Sequence, residues 1–63
     1  MKAIRINNSQ IQMINNAKKV EGRVQTIALM AALAQDQDTV DYILDHCANF
    51  LSVEVIEVLL MPE

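Results

Sequence analysis

Seven apolar positions, Met13, Ala17, Val20, Val24, Ile27, Ala31 and Ala34, recur at alternating steps of four and three, and a glycine sits among them. That spacing is a coiled-coil-like seam and predicts one helix over about 10–35. Gly22 opposes it, because glycine inside a helix costs about 1 kcal/mol relative to alanine. Glu21-Gly22-Arg23 reads equally well as a turn, with Gly22 as a left-handed cap and Thr26 as the N-cap of a second helix. The residues leave both open.

Before the seam, residues 2–6 (Lys-Ala-Ile-Arg-Ile) alternate, placing Ile4 and Ile6 on one face of an extended segment. Helix-start residues follow. Ser9 with Gln12 fits a capping box, and Asn7 with Gln10 fits nearly as well. Ile11, Ile14 and Ala17 then mark the buried side of a first helix. Beyond the seam, Gln35-Asp36-Gln37-Asp38 ends the pattern, and Asp38 or Thr39 is placed to cap a final helix with Asp41 in its first turn. That helix is predicted over 38–61. Val40, Leu44, Cys47, Leu51, Val55 and Val58 line one face of it, with Ile43, Phe50 and Leu59 alongside. Residues 53–58 are β-branched and partly alternating, so a strand competes there. Pro62 stops the element.

The chain is 63 residues, 52% hydrophobic, with Tyr42 and Phe50 its only aromatics. One domain of this size buries only about 60% of its unfolded surface, and small chains commonly need a disulfide, a metal or a partner. One cysteine makes no internal disulfide. Asp41, Asp45, His46 and Cys47 are ligand types, but on a helix they diverge, so structural or solvated roles are expected and no metal or cofactor. Asp36 and Asp38 lack the further oxygens of a calcium loop. Oligomerisation, to a dimer or larger, is the expected remedy. Ile43, Leu44, Phe50, Leu51, Val55, Val58 and Leu59 are the expected protein interface, since that face holds more large aliphatics than one short helix needs.

No catalytic constellation emerges. Ser9 and Ser52 have no base within a sequence holding one histidine, one glycine cannot build a phosphate cradle, and an enzyme is not expected. The longest apolar run, Ile27–Ala34, is eight residues, short of the ~20 of a membrane span. No targeting signal is read, and a free cysteine suits the cytoplasm.

Charge is divided along the chain. All five basic residues fall in positions 1–23, which carry net +4, and residues 24–63 carry net −7. The split suggests a basic end for nucleic acid and an acidic, apolar end for protein.

An alternating strand, a polar cap, a short amphipathic helix, a glycine turn and a second helix resemble the ribbon–helix–helix regulators, many of them antitoxins. The matching residues are Ile4 and Ile6; Ile11, Ile14 and Ala17; Gly22-Arg23; and Thr26, Ala32 and Leu33, within residues 2–34. The resemblance implies a mainly α-helical obligate dimer whose paired strands enter the DNA major groove, with an acidic C-terminal helix for oligomerisation or toxin binding. Lys2, Arg5, Asn7, Arg23 and Thr26 would then contact operator DNA, the last two near a helix N-terminus that holds phosphate. Val24 and Ile27, apolar where that family shows polar residues, would call for a third helix over them. The competing architecture is an antiparallel helical hairpin dimerising into a four-helix bundle. It would be a protein-binding inhibitor or adaptor of phage or plasmid type, without DNA.

Overall fold

The computed structural model describes residues 6–61, in which the order is α1 (Asn8–Ala17), α2 (Arg23–Leu33), α3 (Gln37–His46), a 3-10 turn (Ala48–Phe50) and α4 (Val53–Leu60). The mainly helical class holds. The strand expected over 2–6 lies outside the described residues apart from Ile6, which is in no strand and packs against the core.

Each boundary has a local cause. Of the two candidate capping boxes at α1, Asn7 with Gln10 forms: the Asn7 side chain accepts from the Gln10 N–H at 2.9 Å, and Gln10 accepts in return from the Asn7 N–H at 3.4 Å. The helix over 10–35 does not run through. Gly22 sits at φ 79°, a left-handed conformation that side chains with a Cβ rarely adopt, and the Arg23 N–H reaches back to the Val20 carbonyl at 3.1 Å. The N-cap of α2 is therefore Gly22 and not Thr26, whose hydroxyl instead donates to the Gly22 carbonyl at 3.1 Å from within the first turn.

α2 ends in a Schellman arrangement. The Asp36 N–H donates to the Ala31 carbonyl at 2.8 Å and the Gln35 N–H to the Ala32 carbonyl at 3.1 Å, with Gln35 at φ 58°. Asp36 then starts the next helix. Its carboxylate accepts from the Thr39 N–H at 3.2 Å and from the Thr39 hydroxyl at 2.7 Å. Asp36 displaces Asp38 and Thr39 as the expected cap, because the chain already turns there to finish α2. The cap of α3 thus falls two or three residues early, so Asp38 and not Asp41 lies in its first turn.

The single helix expected over 38–61 is broken. α3 stops at His46, and Ser52 caps α4 by accepting from the Val55 N–H at 3.2 Å. The reason is one of length: 24 helical residues would extend about 36 Å, against about 16 Å for an eleven-residue α2. Folding back at 47–52 lets both halves pack on α2. The fold-back is tied by the Ser52 N–H, which donates to the Gln25 side-chain oxygen of α2 at 2.6 Å. Residues 53–58 are helical, not extended.

α2 touches each of the other three helices. The core is Ile14 and Ala17 from α1, Val24, Ala28 and Ala31 from α2, Val40 and Ile43 from α3, with Cys47 and Leu59. Alanines on α2 let its neighbours approach closely. Val24, only 2% exposed, lies in the core, whereas Ile27 is half-buried and lines a groove between α1 and α2.

Candidate protein-interaction site

The expected DNA-contacting residues do not converge into a described site. Lys2 and Arg5 lie outside the described residues. The Asn7 side chain is engaged as the α1 cap, and the Thr26 hydroxyl is bonded to Gly22. Arg23 stands exposed at the start of α2, next to the turn that carries Lys18 and Lys19. Lys18 places its ammonium 5.8 Å from the centre of the Phe50 ring, a cation–π approach that joins the basic and acidic halves within one chain.

The expected protein interface divides by depth. Ile43 is wholly buried and Leu59 nearly so, because both serve the chain's own core. Leu44, Leu51 and Val55 are half-buried against it. Only Phe50 and Val58 remain exposed. The break at 47–52 divides the periodic face of the sequence between two helices, α3 and α4.

Sequence reasoning missed other surface aliphatics. Val53, Leu60 and Met61, each about two-thirds exposed, surround Glu54 and Glu57 on α4. On α2, Arg23, Thr26, Met30 and Leu33 recur at steps of three, four and three and all are exposed, with Arg23 and Met30 also at the groove against α1; Leu33 is 86% exposed. Their spacing was legible, but the parallel seam through Val24, Ile27 and Ala31 obscured it. That seam itself folds at Gly22: Met13 and Ala17 of α1 and Val20 of the turn line an open groove together with Ile27, Ala31 and the exposed Met30 of α2, while Val24 enters the core.

His46 stacks obliquely on Tyr42 with ring centres 4.5 Å apart, and its Nε2 lies 3.3 Å from the Asp45 carboxylate in an exposed pair. Cys47 is free and fully buried, hence shielded from reaction. Among the described residues no three His, Cys, Asp or Glu side chains could hold a metal ion, and no helix is long and apolar enough to cross a membrane.

The molecule is thus defined as a small, mainly helical protein with exposed aliphatic rows flanked by acids. No family model, curated protein or solved structure matches the chain.

Proposed function

We propose that this chain is a protein-binding module, an inhibitor or adaptor, whose acidic C-terminal surface takes a basic, apolar segment of another protein. The observation that carries this reading is α4 and its end: Val53, Val58, Leu60 and Met61 stand exposed around two exposed carboxylates, Glu54 and Glu57. Isolated surface aliphatics are ordinary, but a cluster of them on one short helix marks a contact surface. The carboxylates select a cationic partner and repel acidic ones. A toxin is one partner of this chemistry. The cytoplasm is the compartment this reading assumes, where a free thiol stays reduced.

The test is affinity capture from host lysate on immobilised protein, beside Leu60→Asp. A partner held by the parent chain and lost in the variant is expected. Equal retention by both would remove α4 from the interface.

The second reading, a DNA-binding regulator or antitoxin of ribbon–helix–helix type, is favoured by the helix–glycine turn–helix at 8–33 and by Lys18, Lys19 and Arg23 gathered around that turn. Titration with DNA from the region upstream of the coding sequence, at two salt concentrations, separates the two. Sequence-selective binding that weakens with salt and is lost in Arg5→Ala supports the regulator. No binding at low salt rejects it.

A further inference from the structure

We infer that a second copy of this chain docks on the outward row of α2, with the two α2 helices antiparallel about a two-fold axis. The inference stands apart from the α4 surface and does not depend on it.

The row consists of Arg23, Thr26, Met30 and Leu33, all exposed and on one side of the helix. A three-four-three spacing is the repeat by which two helices keep one seam in contact. Leu33, at 86% exposed, is the most exposed large hydrophobic side chain among the described residues.

Charge selects the occupant and its direction. Arg23 is the one charged residue of α2. At the N-terminal end, Lys18, Lys19 and Arg23 against Glu21 give net +2; just beyond the C-terminal end, Asp36 and Asp38 give −2. A second α2 laid antiparallel sets each basic end on an acidic end. Laid parallel, it sets like on like and aligns the two helix dipoles. The antiparallel register that sets Arg23 opposite the second copy's Asp36 also places Thr26 against the second copy's Leu33 and Met30 beside the second copy's Met30. The Asp36 carboxylate, which accepts two bonds from Thr39, retains lone pairs for a guanidinium. Methionine is suited to a self-contact on a two-fold axis because its flexible thioether adapts to its twin.

Sedimentation equilibrium of the full chain tests the seam. The parent is expected at twice its 7.1 kDa chain mass, and Leu33→Asp at the single-chain mass with unchanged helix content. Leu60→Asp, on the other surface, is expected to stay dimeric, which keeps failure of this seam distinct from failure of the α4 reading. Arg23→Glu is expected to weaken association at least tenfold at low salt. Direction is read by oxidative cross-linking. Met30→Cys should couple to its twin, whereas the two copies of Arg23→Cys lie about 20 Å apart in this register, beyond disulfide reach. Cys47 is fully buried and does not compete. A parent chain that is monomeric at millimolar concentration, a dimeric Leu33→Asp, an Arg23→Glu that associates as tightly as the parent, or cross-linking of Arg23→Cys in place of Met30→Cys would each overturn the proposal.

Discussion

Asp36 does the work of two residues. Its N–H closes the end of α2 and its carboxylate opens α3, holding both the N–H and the hydroxyl of Thr39. Thr39 is 4% exposed, the one buried polar residue among the described residues, and its hydroxyl has this partner inside the protein. Asp36→Ala removes a cap worth ~1 kcal/mol and orphans a buried hydroxyl at ~1–3 kcal/mol. A combined loss of about 2–4 kcal/mol is expected in urea unfolding, with much of it recovered in Asp36→Asn, which still caps. A loss within half a kcal/mol would mean the shared junction is unimportant. The neighbouring residue offers the opposite change. Gln35 occupies the left-handed position where glycine is usual, and a side chain there costs ~1–2 kcal/mol. Gln35→Gly is expected to gain about 1 kcal/mol, seen as a higher urea midpoint at unchanged slope.

At the scale of elements, legibility depended on whether a signal was local. The Asn7–Gln10 capping box, one of two candidates, and the left-handed glycine were readable because each is settled by a few neighbouring atoms, whereas the caps expected at Thr26 and at Asp38 or Thr39 gave way to Gly22 and Asp36. Periodicity misled where tertiary packing decided. The apolar run from Val40 to Val58 keeps helical register through a break that exists because two short helices cover α2 better than one long one. Ile43 and Leu59 consequently left the expected interface for the core, while Leu33, Leu60 and Met61 emerged on the surface unannounced. The conflict between seam and glycine has its own measurement. Gly22→Ala puts a Cβ on a residue at φ 79°, with open space around it but an unfavourable backbone. With the turn in place, the substitution is expected to destabilise by about 1–2 kcal/mol. Were residues 10–35 one helix in solution, alanine would instead stabilise by about 1 kcal/mol, so the sign alone decides.

For the whole molecule the governing fact is size. A core of nine residues, three of them alanine, belongs to the class of small domains whose folding surplus is only ~3–5 kcal/mol. No disulfide adds to it. A chain with so little reserve gains from any partner that binds only the folded state, and a second copy is the partner always present. If two chains fold as a pair, a hundredfold rise in protein concentration stabilises the dimer by about 2.7 kcal/mol, or half that per chain. For a domain this small each kcal/mol moves the midpoint by about 4–8 °C. The parent chain is therefore expected to melt about 5–10 °C higher after a hundredfold concentration increase, a range set by that per-chain gain. Leu33→Asp, which leaves every core contact intact, should melt at the same temperature at both concentrations. A parent midpoint independent of concentration would mean the four short helices suffice alone, and that α2's outward row serves some other protein.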